Sequence, residues 1–256
     1  MNPIEVIPLR AFSDNYIWTL RDSSHAAVVD PGDARPVLDY LRAERLDLVA
    51  IINTHHHADH VGGNAELLKH YRVPVYGPHD ERIREVTHRL GDGERITLPH
   101  FGIELEVLVI PGHTRTHIAF HGGGMLFCGD TLFAVGCGKL FEGTPQQMFD
   151  SLSRLMQLPD DSRVYCGHEY TLSNIRFARA AEPDNAALRE LESKARKLRE
   201  QGQPTLPSSI GQERATNPFV RCHEPALVRS ASAHAGKTLS TPVAVLAAIR
   251  EWKNQF

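Results

Sequence analysis

The sequence predicts an α/β domain followed by a small α-helical domain, and three observations carry that expectation. Short apolar runs recur through the first two thirds of the chain and stop near Tyr170. Helical patterns intervene between several of those runs, as alternating strand and helix signals do in α/β domains. Beyond Tyr170 the residues are mostly Ala, Leu, Glu, Lys and Arg. Residues 1–170 are therefore expected to form one domain and residues 171–256 a second.

Each element has its own signal. Val, Ile and Leu runs predict strands at 4–9, 16–20, 26–30, 48–52, 73–76, 103–110, 117–121, 125–128 and 163–166. Several end in Asp or in Thr-His, which suits sheets buried on one face. Helices are expected at 35–45, 64–70 and 145–158, with Asp33 and Thr144 where N-caps belong. Residues 172–201 read as two helices broken at Glu182-Pro183-Asp184. Residues 203–218, with Pro204, Pro207 and Pro218, read as a loop. A last helix opens at Thr241-Pro242 and sets Val245, Leu246, Ile249, Trp252 and Phe256 on one apolar stripe.

Bulk composition narrows the function. Among 256 residues, 41% are apolar and 23% charged, as in an ordinary globular protein. A net charge of −3 with no basic run gives no footprint for nucleic acid. No stretch approaches a membrane span and no export signal opens the chain, so a cytoplasmic protein is expected. The four cysteines lie far apart with no C-x-x-C pair, and are expected to be small buried apolar residues.

Histidine is the outlier, at fifteen residues. The expected strand at 48–52 runs into Asn53-Thr54-His55-His56-His57-Ala58-Asp59-His60. His55 and His57 are two apart, so an extended backbone projects both to one side, and Asp59 and His60 follow as the chain turns. His56 lies between two ligands and is expected to point the other way. Three further apolar runs each end in Gly and then one His or Asp, namely Gly112-His113, Gly129-Asp130 and Gly167-His168. The repetition implies strands that end at a common edge and aim ligands into one cleft.

Imidazole and carboxylate donors without cysteine suit a catalytic site for Zn²⁺, Fe²⁺ or Mn²⁺ with open coordination positions. Asp130 offers two oxygens and is the natural bridge between two ions. Two divalent ions balanced by Asp59, Asp130 and one hydroxide keep a net positive charge, which favours an anionic transition state. His117 is expected beside the ligands rather than among them. His25, His70, His79, His88, His100, His121, His223 and His234 are expected on the surface or in packing.

The ordered set T-H-x-H-x-D-H, then His113, Asp130 and His168, resembles the metallo-β-lactamase superfamily over residues 1–170. That resemblance implies an αβ/βα sandwich with His55, His57 and His113 on one ion, Asp59, His60 and His168 on the other, and Asp130 bridging them. Asp59 and Asp130 are then the carboxylates closest to the chemistry. Finer features resemble glyoxalase II, the hydroxyacylglutathione hydrolases, along nearly the whole chain. They are Ser13-Asp14-Asn15-Tyr16, Gly129 to Phe133, Cys137-Gly138-Lys139, Phe141 to Thr144, Gly167 to Thr171 and Asn217-Pro218-Phe219.

The resemblance implies hydrolysis of S-D-lactoylglutathione to D-lactate and glutathione, in methylglyoxal detoxification, with water activated by two zinc ions; iron and manganese are alternatives. A monomer whose partner is the small thioester is expected, with no nucleic acid and no membrane. The resemblance also implies that Lys139, Phe141, Tyr170, Arg250 and Lys253 meet the glutathione part. Phe141 departs from the family, which often has Tyr there, so one phenol contact is lost.

Alternatives divide on single features. A glutathione persulfide dioxygenase holds one iron on two His and one carboxylate, leaving Asp59, His60 and His168 without a role as ligands. A lactonase or β-lactamase would not explain the helical tail. A nucleic-acid-processing enzyme of this fold would want a basic surface. A metal-dependent scaffold would leave the open coordination positions unexplained, and bound metal without thioesterase activity would favour it.

Overall fold

A computed structural model describes residues 4–256, and within it the chain forms two compact units. The first runs up to Val109 and takes in Thr116–Gly129; the second comprises Ile110–Arg115 and Asp130–Phe256.

The first unit contains β1 (Glu5–Ala11), β2 (Asn15–Arg21), β3 (His25–Val29), α1 (Ala34–Glu44), β4 (Asp47–Ile52), α2 (Ala58–Val61), α3 (Asn64–His70), β5 (Val75–Pro78), β6 (His88–Leu90), β7 (Arg95–Thr97), β8 (Glu104–Val109), β9 (Ile118–Gly122) and β10 (Met125–Gly129). One sheet has the order β1-β2-β3-β4-β5-β6, antiparallel through β1, β2 and β3 and parallel from β3 onward. A second set runs β7-β8-β9-β10, all antiparallel. Strands β2 and β4 are buried at almost every position, so alternation is lost and both faces are covered. On one face Val37 and Leu41 of α1 and Leu67 of α3 pack against Ile17, Val28 and Ile51. Asp33 caps α1 by accepting from the Arg35 amide.

The second unit contains the hairpin of β11 (Leu132–Phe133) and β12 (Gly136–Cys137), α4 (Pro145–Leu155), β13 (Arg163–Cys166), α5 (Thr171–Ala181), α6 (Ala186–Glu200), β14 (Ser208–Ser209), α7 (Ile210–Thr216), α8 (Pro225–Ala235) and α9 (Pro242–Gln255). Thr144 and Gln147 form a reciprocal capping box at the start of α4. Leu188 and Ala195 of α6 pack on Ile175 and Ala178 of α5, and Val135 joins them from the β11–β12 turn.

Two sequence expectations are corrected here. Residues 203–218 are not a loop: Ser208–Ser209 pairs with β13, and Ser209 then caps α7 by accepting from the Gln212 amide. Prolines bracket this helix without entering it. Phe256 does not complete the buried stripe of α9, because it stands past the last helical turn and is 62% exposed. Val245, Leu246 and Ile249 are buried as expected, and so are all four cysteines.

Candidate metal centre and adjoining pocket

In the first unit the core strand β4 delivers residues 53–60 directly from a buried sheet. His55 and His60 are fully buried, while His57 and Asp59 are half-buried. His55 Nε2 lies 3.1 Å from His57 Nδ1. Its other nitrogen lies 3.0 Å from Thr54 Oγ1, and that hydroxyl donates to Asp30 at 2.7 Å. His60 Nδ1 lies 3.0 Å from Asp30 Oδ2 and its Nε2 3.5 Å from Asp59 Oδ2. Asn15 steadies Asp59 by donating to its carboxylate at 3.0 Å. Asp30, His55 and His60 form a group whose ligand atoms all lie within 4.8 Å of one another.

Close backbone packing sets this loop. A Cβ on Gly32 would overlap the backbone carbonyl of Asp59, and one on Gly129 (φ 47°) would strike Thr54 Oγ1 and the His117 ring. His117 is buried and stacks on His55 with ring centroids 4.6 Å apart.

In the second unit Asp130 leads into β11 and faces two imidazoles. His113 Nε2 lies 3.5 Å and His168 Nε2 3.3 Å from Asp130 Oδ2. The Lys139 carbonyl oxygen lies 2.9 Å from His113 Nδ1. All three side chains are buried.

These spacings fit divalent ions. Donors about 2.0–2.1 Å from one tetrahedral ion stand roughly 3.3 Å from each other. The nitrogen–nitrogen and nitrogen–oxygen separations of 3.1, 3.3 and 3.5 Å bracket that value. In His55, His60 and His113 one ring nitrogen is fixed by a hydroxyl, a carboxylate or a carbonyl, and the other faces a further donor. Metal-binding histidines are held in this way.

A cavity of about 390 Å³ opens in the second unit, with His113 and Asp130 in its wall. Lys139, Phe141, Tyr170, Arg250 and Lys253 line the same cavity. Tyr170 stacks on His168 at 4.7 Å, and the Phe141 ring meets His113 edge-on at 5.3 Å. Phe141 is 64% exposed, so its ring forms a rim. Arg250 is 5% exposed, so its guanidinium is held inside the protein. It donates to the Cys137 carbonyl at 2.8 Å and lies over the Phe219 ring. Lys253 reaches Asn174 Oδ1, and burial, reinforced by the Arg250 charge, pushes its ammonium down to about 7.

The family described as "Metallo-beta-lactamase superfamily" matches residues 12–168, and "Hydroxyacylglutathione hydrolase C-terminus" matches residues 169–256. A protein named hydroxyacylglutathione hydrolase from Nitrosomonas europaea is 56% identical, over 99% of this chain and 97% of that one. The chain belongs to the hydroxyacylglutathione hydrolase family. Two solved structures carry the same fold. The BLEG-1 B3 metallo-beta-lactamase aligns with a TM-score of 0.64 at 23% identity, over 85% of this chain and 99% of that one. TTHA1623, solved in a di-iron-bound form, aligns with a TM-score of 0.59 at 26% identity, over 84% and 100%. The α/β sandwich with a helical C-terminal region expected from sequence is therefore the fold of this chain.

Several residues of the site escaped sequence reasoning. Asp30 touches both Thr54 and His60, yet its only signal was a buried strand ending in Asp-Pro-Gly. Asn174 lines the cavity from inside a helical pattern that looked purely structural. Asp80 is buried, and it accepts from Thr116 at 2.6 Å and from Arg82 at 2.7 Å. Burial alone would raise its carboxyl, but the Arg82 guanidinium and the Thr116 hydroxyl hold it well below the usual carboxylate range.

Asp80 also explains His56, whose Nδ1 lies 3.4 Å from Asp80 Oδ2. This imidazole faces Asp80, with its ring centroid 6.4 Å from that of His55 and 4.8 Å from that of His57. His56→Ala should therefore keep bound metal and most activity, with only a modest fall in melting temperature. Metal loss as large as that in His57→Ala, measured by elemental analysis, would refute this assignment.

Proposed function

We propose that the chain hydrolyses S-(2-hydroxyacyl)glutathione thioesters, converting S-D-lactoylglutathione to D-lactate and glutathione. The observation that carries this reading is one cavity lined both by His113 and Asp130 and by the cations of Lys139, Arg250 and Lys253. Glutathione carries two carboxylates and one ammonium, so a protein of net charge −3 needs local cations to hold it. The relatives' name agrees with that chemistry.

In this reading His55, His57 and His113 would hold one ion and Asp59, His60 and His168 the second, with Asp130 shared between them. Two divalent ions, zinc first and iron or manganese as alternatives, would supply an activated water and polarise the thioester carbonyl. The residues around them do the remaining work. Thr54, Asp30 and the Lys139 carbonyl fix which ring nitrogens face inward. Arg250 and Lys253 hold a substrate carboxylate, with Lys139 nearer to His113. Tyr170 in the wall and Phe141 at the rim meet the glutathione part beside these cations. The thiolate leaves without strong assistance, because a thiol is far more acidic than an alcohol.

Residues 1–170 then act as the catalytic domain and 171–256 as the substrate-binding domain of a cytoplasmic monomer that engages neither nucleic acid nor membrane. No helix among the described residues is long and apolar enough to cross a membrane. The deciding experiment follows thioester loss from S-D-lactoylglutathione with purified protein and measures metals on the same sample. Rapid turnover at two ions per chain is expected. Full metal content without thioester loss would overturn the reading.

A further inference from the structure

Val135 in the β11–β12 turn is held at φ 59°, a region that β-branched residues rarely enter. Such a conformation persists only while its surroundings over-determine it. Here the side chain is fully buried among Ile175, Ala178, Leu188 and Ala195. The backbone of the turn is gripped from the opposite direction by side chains of later segments. The Val135 amide donates to Glu213 Oε2 at 2.8 Å. Asn217 Nδ2 donates to the Phe133 carbonyl at 3.2 Å, the Gly136 carbonyl at 2.9 Å and Glu213 Oε2 at 2.9 Å. Asn174 Nδ2 donates to the Ala134 carbonyl at 2.9 Å. Four consecutive residues thus have a backbone group tied to a side chain.

This arrangement exceeds what closing a short hairpin needs. Glu213 and Asn217 are fully buried, and burial of a carboxyl and an amide is tolerated only when their hydrogen bonds are satisfied. Burial raises the Glu213 carboxyl to about 7 against the hydrogen bonds from Val135 and Asn217. What the hairpin carries explains the investment. Phe133 and Cys137, one at the end of each strand, line the cavity, and the chain continues through Gly138 to Lys139. The Arg250 guanidinium is anchored on the Cys137 carbonyl, and Asn174 receives the Lys253 ammonium. A Cβ on Gly136 would stand 2.5 Å from Asn174 Nδ2, so the turn and this amide are fitted to one another.

We propose that Glu213 and Asn217 are positioning residues for substrate, fixing the 132–137 hairpin so that the cations of the cavity stand where a glutathione carboxylate meets them. The assignment rests on reading that cavity as the substrate site. Neither residue lines the cavity; both act through the hairpin, Lys139 and Arg250. A role confined to folding would affect all substrates alike, whereas a positioning role concerns the peptide part of the substrate.

The test compares Glu213→Ala, Asn217→Ala and Glu213→Gln in the full-length, metal-loaded protein. Gln keeps an oxygen for the Val135 amide and for Asn217, so it is the conservative rescue. Amide hydrogen exchange across 132–137, metal content, and kcat and KM are measured. The substrates are S-D-lactoylglutathione and a thioester of a small thiol lacking the peptide. In both alanine variants exchange across the hairpin should accelerate at least roughly tenfold, and KM for the glutathione thioester should rise roughly tenfold. Metal content and kcat/KM for the small thioester should stay within about twofold, and Glu213→Gln should resemble the wild type. Unchanged exchange, or equal losses on both substrates, overturns the proposal. If an alanine variant fails to fold, Glu213→Asp, which withdraws the carboxylate from Val135 by one methylene, carries the same comparison. A wild type inactive on S-D-lactoylglutathione overturns the substrate reading instead, and hydrogen exchange still decides whether the two residues hold the hairpin.

Discussion

Replacing Asp130 by alanine should lower kcat on S-D-lactoylglutathione by roughly a thousandfold or more and deplete both ions. The carboxylate sits between His113 and His168, at 3.5 and 3.3 Å from their Nε2 atoms. Among the described residues no other carboxylate lines the cavity. Asp130→Asn keeps the size and removes the charge, and should fall nearly as far. His168→Ala should behave differently, weakening one ion while the other stays. Elemental analysis beside kinetics separates the cases. Two ions per chain retained in Asp130→Ala, or full activity with one ion in His168→Ala, would sink the bridging assignment.

Arg250 and Lys253 should split affinity from stability, and in opposite senses. Loss of either contact to a substrate carboxylate costs on the order of 1.5–3 kcal/mol, which is a ten- to hundredfold rise in KM when ground and transition states are affected alike. Small thioesters without the peptide should be spared. Arg250→Ala should also lower the melting temperature, because it removes the donor to the buried Cys137 carbonyl.

Lys253→Met should instead melt higher than the wild type at pH 7. Burial lowers the folded-state pKa from 10.5 to about 7, so between those two values the unfolded chain binds more protons and stability rises with pH. The melting advantage of Lys253→Met should accordingly shrink as pH rises from 7 towards 10. The same titration acts on affinity in the wild type: KM should climb as pH passes through 7 and the ammonium is lost. In Lys253→Met, KM should be high and flat across that range. Equal losses on peptide and non-peptide substrates, or a lower melting point for Lys253→Met, would mean that these residues only support the fold.

What the sequence disclosed depended on how locally each feature was encoded. Strands β2, β4, β10 and β13 are continuous apolar runs, and the expected positions match them within a residue or two. By contrast β6, β7 and β14 are two or three residues long, with His88, Arg89, Arg95 or Ser209 among them. Only pairing with a neighbour makes such segments strands. Helix α7 was hidden by flanking prolines, although Ser209 and Gln212 stand at its N-cap and third position. The loop of His55 to His60 was legible because strand alternation decides which imidazoles share a side. Asp30 was not, since its partner His60 is thirty residues away and only the parallel pairing of β3 with β4 brings them together. The burial of Arg250 against Phe219 was not legible either, because it depends on packing that helical periodicity does not encode.

The partners of His55, His60 and His113 have a consequence for how the protein acquires its ions. A hydroxyl, a carboxylate and a backbone carbonyl orient these rings, and none of the three comes from a metal. The rings are seated among these partners in the buried interior, so folding and loading are expected to be separate events, unlike those of a zinc finger, whose chain collapses only around its ion. Chelation should strip the ions while the far-ultraviolet circular dichroism spectrum and cooperative melting persist, and added Zn²⁺, Mn²⁺ or Fe²⁺ should each refill the same framework. Loss of cooperative melting on chelation would contradict this. Refilling by all three would mean that the occupant records the cell's metal economy as much as the protein's own preference.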